Sequence, residues 1–380
     1  MKICAIICEY NPFHNGHLYQ LREAKRLSGA DALLCIMSGN FVQRGEAAIM
    51  DKFTRAKHAV LAGADIVIEL PSVFSTSNAE LFAKGAISIL SCIPAVDSLS
   101  FGAENADKLA FISAARYLNN EPKEISERIK FLTKEGNSYA KARAKAWAGF
   151  IPMDLLCTPN NILGLEYTKA ILAKDANISI LPITRMGAEY KDCRLQGNFS
   201  SASAIRQAIR LEEDFSSNLP DFVAKDLPKL LEEKLDVLEK YAILTKSLNE
   251  LKQTCDCSEG LENALKKAAT LSIPLSEQLT SARYTASRIR RIALQNLLNI
   301  EEDIIRDCLQ SPLYIRVLAI KKERTELLSE LKSSALPILT RAHDDQCLDG
   351  VAKRCYEIDI FAEKIHALLY GSPKEKAIFV

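Results

Sequence analysis

Two histidines, His14 and His17, are the first side chains in this sequence whose types and spacing suit chemistry. They flank Gly16, follow a short apolar segment and precede a helical pattern that begins at Leu18. The free N–H groups of a helix N-terminus favour anions, and imidazoles placed there can donate hydrogen bonds to phosphate oxygens. Adenylyl transfer depends mainly on such positioning and charge stabilisation. The pattern predicts an ATP-using enzyme; the alternative is a pair of surface or metal-binding histidines.

A second segment, residues 200–206, has serines followed by an arginine (SSASAIR). Serines at a helix start can cap free N–H groups, and an arginine one turn later is suited to bidentate phosphate binding. Standing alone, the segment would be an ordinary capped surface helix. Combined with the histidines it predicts a phosphate site, with catalytic roles for His14, His17 and Arg206 and ATP contacts for Ser201 and Ser203.

These segments need a scaffold, and the first half of the chain supplies an alternating pattern for one. Short apolar runs rich in Ile, Val and Leu predict five buried strands, at residues 2–8, 32–37, 65–70, 96–101 and 178–183. Helical stretches such as Leu18–Ser28 and Lys52–Ala62 lie between them. The pattern predicts an α/β fold with a Rossmann-like, doubly wound parallel sheet, in which ligands bind at the carboxyl ends of the strands.

The second half of the chain differs in character. Stretches rich in Leu, Glu, Lys and Arg predict a mostly helical region, with short strands near Leu313–Ile320 and Leu336–Leu339. We therefore predict an ATP-binding catalytic domain at residues 1–215 and a mainly helical domain at residues 216–380.

Polar residues at the predicted strand ends are further candidates for the site. After the second strand, Ser38, Gln43 and Arg44 could donate hydrogen bonds to a small anion, and Gly39 suits a turn around it. Gly102 ends the fourth strand, the pair Asn160-Asn161 precedes a helix, and Arg185 follows the fifth strand. Each feature alone is more often a turn than a site, so their shared placement carries the prediction.

A cluster of arginines in the second half is the strongest nucleic-acid signal. Four arginines and a tyrosine fall within nine residues, namely Arg283, Tyr284, Arg288, Arg290 and Arg291. Arginines contact phosphates, and an aromatic ring can stack on an unpaired base. On a helix, Ile289 and Ile292 would anchor the opposite face. The cluster predicts RNA contact; the alternative is a solvated basic face.

Composition bounds these interpretations. The 380 residues are 48% hydrophobic and 26% charged with a net charge of +1, which favours a folded protein and excludes a globally basic nucleic-acid binder. The eleven cysteines lie largely in apolar runs, so we expect reduced thiols and a cytoplasmic protein. No apolar stretch approaches the length of a membrane span, and no zinc site is predicted.

Six strings in order along the chain, EYNPFHNGH, SGNFVQRGE, DIVIELP, SFGAE, PNNILGLEY and RYTASRIRR, resemble the bacterial tRNA(Met) cytidine acetate ligase family. The histidine motif and the serine segment also resemble the two signatures of the HxGH nucleotidyltransferase superfamily. The resemblance runs from residue 3 to about residue 320. It implies activation of acetate by ATP to acetyl-adenylate, followed by acetylation of N4 of the wobble cytidine of elongator tRNA(Met). It also implies that residues 1–215 form a nucleotidyltransferase-like domain and that residues 216–380 bind tRNA.

The resemblance also implies roles for individual residues. ATP contacts would come from Gly102, Asn161 and Arg185 and from one continuous segment: Ile7, Cys8, Glu9, Tyr10, Asn11, Pro12, Phe13, His14, Asn15, Gly16, His17, Leu18, Tyr19 and Gln20. Acetate would lie near Ser38, Gly39, Gln43 and Arg44, with Mg²⁺ carried by ATP. We predict no protein partner and no resident metal. The choice between Asn160 and Asn161 stays open.

The sequence departs from the family pattern in two places. Thr184 stands where a lysine commonly precedes the arginine, and Lys191 stands where a histidine often follows the tyrosine. Two other functions remain open at this point: adenylyl transfer to a small metabolite, and a non-catalytic RNA-binding protein that keeps the nucleotidyltransferase fold.

Overall fold

A seven-stranded sheet organises the chain in the computed structural model, which describes residues 1–186, 195, 197–227, 232–341, 343–372 and 379–380. Lys191 lies outside the described residues. The strands are β1 (Ile3–Cys8), β2 (Ala32–Ser38), β3 (Phe41–Val42), β4 (Glu46–Ala47), β5 (Ile66–Leu70), β6 (Val96–Ala103), β7 (Ser179–Thr184), β8 (Ile315–Ile320) and β9 (Ile338–Leu339). The sheet order is β7-β6-β1-β2-β5-β8-β9, and β3 and β4 form a separate hairpin.

The central strands are buried along their whole length, because β1, β2 and β5 are apolar on both faces and helices cover both sides. β1 pairs in parallel with β2 and β6, β2 with β5, and β6 with β7. The five strands predicted from apolar runs and the α/β fold class are confirmed. After β5 the chain crosses back to form β6 on the far side of β1. The boundary between β1 and β6 is therefore the topological switch point, where such sheets bind ligands.

Helices pack around the sheet and make up most of the second half of the chain. Their bounds are α1 (Asn15–Ser28), α2 (Lys52–Leu61), α3 (Ser72–Ser75), α4 (Ala79–Leu90), α5 (Lys108–Asn119), α6 (Lys123–Lys134), α7 (Tyr139–Ala146), α8 (Met153–Cys157), α9 (Pro159–Ala173), α10 (Ala202–Arg210), α11 (Asp221–Ala224), α12 (Glu232–Thr245), α13 (Leu248–Lys252), α14 (Leu261–Ala268), α15 (Leu275–Leu279), α16 (Ala286–Leu298), α17 (Glu302–Gln310), α18 (Glu326–Lys332) and α19 (Gly350–Tyr370).

The second half of the chain returns to the sheet of the first half. β8 pairs antiparallel with β5, matching Ile66 with Ile320, and β9 pairs in parallel with β8. The two short strands expected near these positions are present, but they extend the first sheet rather than forming one of their own. The division at residues 215 and 216 stays a prediction.

A buried ion network fixes this junction between the two halves of the chain. Lys52 lies 2.6 Å from Glu69 and 3.4 Å from Glu363, and Arg316 lies 3.2 Å from each of the same carboxylates. The network is electrically balanced, with two cations facing two anions, so the desolvation cost of each charge is offset by two partners. It ties α2, β5, β8 and α19 together on the side of the sheet beyond β2.

The described residues were compared with the requirements for a membrane-spanning helix and for disulfide bonds. No helix there is both long and apolar enough to cross a bilayer. The ten described cysteines are all free thiols, as the sequence predicted for the reduced state.

Candidate active site

A pocket opens at the carboxyl ends of β1, β6 and β7, at the switch point of the sheet. Its lining combines the histidine motif, the ends of two strands and the serine segment: His14, Gly16, His17, Tyr19, Gln20, Gly102, Ile183, Thr184, Arg185, Met186, Phe199, Ser200 and Ser201. Segments almost two hundred residues apart in sequence thus meet in one place. Its enclosed volume is only about 30 Å³, so a nucleotide has to lie largely in the open mouth or move side chains aside.

The two imidazoles hold each other and the start of α1 in a defined arrangement. His14 is the N-cap residue of α1, and its Nδ1 accepts a 3.0 Å hydrogen bond from the backbone N–H of Gly16. His17 Nδ1 accepts in turn from the backbone N–H of His14 at 3.3 Å. The rings stack with centroids 3.6 Å apart. Since both Nδ1 atoms are acceptors, the proton of each neutral imidazole resides on Nε2, which is left to donate to a ligand.

Neighbouring aromatic rings and the glycine fix this pair. Tyr10 makes an edge contact with His17 at 4.8 Å between ring centroids, and Phe13 lies 5.6 Å from the same ring. A Cβ atom on Gly16 would lie 2.9 Å from Cε1 of His14. Glycine is therefore needed to make room for the imidazole, in addition to any approach of phosphate to the backbone.

Electrostatics keep both imidazoles neutral. Burial, helped by the positive charge of Arg185, lowers the pKa of His14 to about 3. Burial, with His14 and Arg185 as smaller causes, also lowers the pKa of His17 well below its usual value. Both groups therefore act as neutral hydrogen-bond donors near neutral pH, and the pocket takes its positive potential from Arg185 and the helix end.

This arrangement predicts the titration of His14. Because its pKa is depressed, we expect the ring to stay neutral between about pH 5 and pH 8, where an ordinary histidine gains its proton. The protonation of the ring can be followed by NMR as a function of pH. The His14 resonances are assigned with a His14→Asn variant, and free imidazole serves as the reference. An inflection for His14 close to that of the added imidazole would show that the ring is exposed and that its hydrogen-bond pattern is different.

The serine segment presents a second helix N-terminus to the same pocket. Ser201 is the N-cap of α10, and its Oγ accepts from the backbone N–H of Ala204 at 3.1 Å. Ser200 is buried and its Oγ accepts from the side-chain amide of Asn218 at 2.9 Å. The positive ends of α1 and α10 therefore converge on one pocket, as an anion site requires. Ser203 is the second residue of α10 and is absent from the pocket lining.

Arg206 links the two segments without lining the pocket. Its guanidinium donates to the backbone carbonyl of Asn11 at 2.8 Å and to Glu46 at 2.9 Å. Asn11 lies in the loop that leads into α1 and ends at His14, so Arg206 fixes that loop relative to α10. This geometry is that of a positioning residue; contact with ATP stays a prediction.

Gly102 and Arg185 both line the pocket, and a Cβ atom on Gly102 would lie 3.3 Å from Cγ of Arg185. Asn161 is fully buried, and its Oδ1 accepts from the backbone N–H groups of Glu104 and Asn105 at 2.9 and 3.1 Å. Asn160 instead presents its Oδ1 to Arg185, 3.5 Å from the guanidinium. Asn161 therefore shapes the loop after β6, and Asn160 is the amide beside the pocket.

The loop after β2 lies apart from this pocket, since Ser38, Gly39, Gln43 and Arg44 are absent from its described lining. Ser38 is fully buried, and its carbonyl and that of Gly39 accept from the buried Arg55. The backbone N–H of Gln43 donates to Glu9 at 2.8 Å. The loop is thus anchored to the end of β1, next to the histidine motif, and its acetate contacts stay predictions.

Much of the segment from Ile7 to Gln20 forms core rather than pocket. Ile7, Cys8, Tyr10 and Phe13 have at most 9% of their surface exposed, and within this segment the pocket lining consists of His14, Gly16, His17, Tyr19 and Gln20. Sequence reasoning missed Ile183, Met186 and Phe199. The available signal was their position in sequence: Ile183 and Met186 lie within two residues of Arg185, and Phe199 directly precedes Ser200.

The arginine cluster lies on and before α16. Ile289 and Ile292 are fully buried, as the helical spacing predicted. The arginines pair with acidic neighbours or backbone: Arg283 with Glu259 at 2.7 Å, Arg288 with the carbonyl of Asp256 at 2.6 Å, Arg290 with Glu46 at 3.2 Å and Arg291 with Asp256 at 3.8 Å. The Arg288 guanidinium group lies over the ring of Tyr284, 5.0 Å from the ring centroid. RNA contact by these residues stays a prediction.

Comparison with known proteins identifies the family. A model of the HIGH nucleotidyl transferase family matches residues 1–378. The tRNA(Met) cytidine acetate ligases of Thermoanaerobacter sp. and Acetivibrio thermocellus are 40% and 37% identical to this chain, over 97% and 98% of it and 96% of each relative. The chain belongs to the tRNA(Met) cytidine acetate ligase family. The resemblance drawn from its motifs is confirmed.

Solved structures of this family agree over the whole chain. A crystal structure of Thermotoga maritima TmcAL in its apo form superimposes with a TM-score of 0.92 at 31% identity, covering all of both chains. A second, bound with alpha-thio ATP, superimposes with a TM-score of 0.90 at 30% identity, again over both full lengths. The family is one of ATP-binding ligases, and the nucleotidyltransferase fold predicted from the sequence is confirmed.

Proposed function

We propose that this chain activates acetate with ATP as acetyl-adenylate and transfers the acetyl group to N4 of the wobble cytidine of elongator tRNA(Met). One observation carries the proposal: two stacked, neutral imidazoles at the N-terminus of α1 and the serine-capped N-terminus of α10 line the same pocket. Its family relatives bear the name of this activity. The pocket would catalyse formation of acetyl-adenylate, and the arginine cluster in the second half of the chain would bind the tRNA that accepts the acetyl group.

In the first half-reaction a carboxylate oxygen of acetate attacks the α-phosphorus of ATP, and the bond to the leaving pyrophosphate breaks. Nε2–H groups of His14 and His17 donate to phosphate oxygens as negative charge builds on them, and Arg185 contributes a positive charge. Because phosphoryl chemistry needs positioning and charge stabilisation, no covalent protein nucleophile is required. The free cysteines have no role in this step.

We propose the contacts around the nucleotide from the position of each side chain in or beside the pocket. We assign Ser201, Gly102 and Arg185 to ATP, and Asn160 rather than Asn161 to the base or ribose edge, since Asn161 is committed to backbone groups. Within the loop after β2 we assign Arg44 to the acetate carboxylate, because a guanidinium group can bind a carboxylate through two hydrogen bonds.

Magnesium would accompany ATP rather than occupy a protein cage. The described residues contain no group of three or more His, Cys, Asp or Glu side chains able to hold a metal ion. The donors in the pocket are imidazole N–H, hydroxyl and guanidinium groups, which suit phosphate and not a cation. Mg²⁺ would therefore be held by phosphate oxygens and water, as is usual for this ion, and would neutralise phosphate charge.

In the second half-reaction N4 of the cytidine attacks the acetyl carbonyl carbon, the N–C bond forms, and the C–O bond to AMP breaks while N4 loses a proton. The RNA is held by Arg283, Tyr284 and Arg288, with Arg290 and Arg291 supporting the helix. Identifying the modified nucleoside tests the proposal.

Purified protein is incubated with ATP, labelled acetate and bulk bacterial tRNA, and the tRNA is digested to nucleosides. We expect label in N4-acetylcytidine from elongator tRNA(Met) alone. Label elsewhere, or none, contradicts the proposal; an ATP-dependent adenylylated metabolite without acetate would indicate a metabolite adenylyltransferase instead.

A further inference from the structure

A second cleft, of about 480 Å³, lies between the two halves of the chain. One wall comes from α4, α7 and α9, and the other from residues 256–259 and the start of α16. Within the described residues it shares no lining with the adenylation pocket. Its volume is in the range of sites that hold a nucleotide-sized ligand, about 300–1,000 Å³. It is therefore a separate site that the adenylation chemistry does not use.

The cleft is lined by cations from both halves of the chain: Arg143 from α7, and Arg283, Arg288 and Arg291 from the other wall. Four carboxylates face them, including Glu80 and Glu166. Two lysines behind the lining, Lys84 and Lys169, pair with Glu80 and Glu166 at 2.7 Å each. The lining itself thus holds four guanidinium groups and four carboxylates, and Arg143 pairs with Glu166 at 2.9 Å. An arginine in such a cleft can exchange its carboxylate partner for a phosphate, which has the same bidentate geometry.

One wall also offers an aromatic ring without a stacking partner among the described residues. Tyr139, the first residue of α7, lines the cleft with 62% of its surface exposed. One face of the Tyr284 ring, by contrast, is already covered by Arg288. A ring beside arginines is the combination that binds unpaired nucleotides, since bases stack on aromatics while guanidinium groups contact phosphate.

The cleft is connected to the active site by two short routes. Asn160, the second residue of α9, adjoins Arg185 in the adenylation pocket, and the same helix places Ile162 and Glu166 in the cleft. Asn78 lines the cleft, and the neighbouring Ser77 carbonyl accepts from the side chain of Gln43 at 3.3 Å. A strand held in the cleft would therefore run toward the end of β1, where acetyl-adenylate forms.

We propose that this cleft binds the unpaired nucleotides next to the acceptor cytidine, with Tyr139 stacking on a base and Arg143, Arg283 and Arg288 contacting phosphates. The inference rests on the proposed function and deepens it. It assigns the first half of the chain a direct role in RNA binding, and it makes the recognised RNA single-stranded at this point, as in an anticodon loop.

The test compares Tyr139→Ala and Tyr139→Phe with Tyr117→Ala, an exposed tyrosine on α5 outside the cleft. Steady-state acetyl transfer gives KM for elongator tRNA(Met), and acetate-dependent exchange of pyrophosphate into ATP is measured without tRNA. We expect Tyr139→Ala to raise the KM for tRNA about 5- to 150-fold, the factor that corresponds to one stacked base. Tyr139→Phe keeps the ring and should restore the wild-type KM, and Tyr117→Ala should leave it unchanged.

Pyrophosphate exchange measured without tRNA distinguishes a failure of this inference from a failure of the proposed function. If wild-type protein exchanges pyrophosphate with acetate while Tyr139→Ala leaves the KM for tRNA unchanged, the cleft is not the RNA site. A fall in exchange that matches the fall in acetyl transfer would show a structural defect and would equally overturn the assignment. If wild-type protein shows no acetate-dependent exchange at all, the proposed function itself fails.

Discussion

Replacing His17 with alanine is expected to reduce acetate-dependent pyrophosphate exchange about 100- to 1,000-fold, the usual effect of removing one preorganised donor to a developing oxyanion. Its Nδ1 is occupied by the backbone of His14, so its Nε2–H is the group available to the phosphate. The ring is also stacked on His14, so the variant loosens the remaining imidazole. Both losses act on the transition state, and kcat should fall more than the affinity for ATP.

The matched control for this variant is His343→Ala, which removes an exposed histidine far along the chain. It should exchange pyrophosphate at the wild-type rate. Circular dichroism of both variants reports whether the fold is kept. His17→Ala protein that is folded and exchanges pyrophosphate as fast as the control would remove this histidine from the mechanism.

The second large effect is expected for Arg206→Ala, about 100-fold in kcat for exchange, because a small misplacement of catalytic groups has an effect of that size. The side chain donates to the carbonyl of Asn11 and pairs with Glu46, so its loss frees from α10 the loop that leads to His14 and the start of α1. Gln207→Ala, an exposed position on the same helix, serves as the control.

Chemical rescue distinguishes positioning by Arg206 from general stabilisation of the fold. Added guanidinium ion can occupy the space left in Arg206→Ala and restore part of the exchange rate. If guanidinium ion stimulates exchange by the Gln207→Ala control to the same degree, or does not stimulate Arg206→Ala, the side chain of Arg206 acts in another way. Undiminished exchange by Arg206→Ala would exclude the role altogether.

The scaffold and the position of the pocket were predictable from the sequence for a physical reason. Central parallel strands are apolar on both faces, so their runs stand out, and ligands bind at their carboxyl ends. The histidines and the serine segment could be expected to meet because both begin helices that follow strands in this part of the chain. Their convergence on one pocket agrees with that expectation.

Other features depend on tertiary contacts that no local pattern reveals. The pairing of β8 with β5 joins Ile66 to Ile320, far apart in the chain, and periodicity cannot show which sheet a strand enters. Asn160 and Asn161 are chemically identical, and only the fold buries one and turns the other toward Arg185. Likewise, Arg206 looks like a phosphate ligand in sequence, but in the structure it binds Asn11 and Glu46.

Exchange of labelled pyrophosphate into ATP, with and without acetate and in the absence of any RNA, tests the central claim most directly. If the converging helix ends and paired imidazoles form an acyl-adenylate site, label enters ATP only when acetate is present, because reversal requires acetyl-adenylate. Label entering ATP equally well without acetate, or not entering at all with folded protein, would contradict that account.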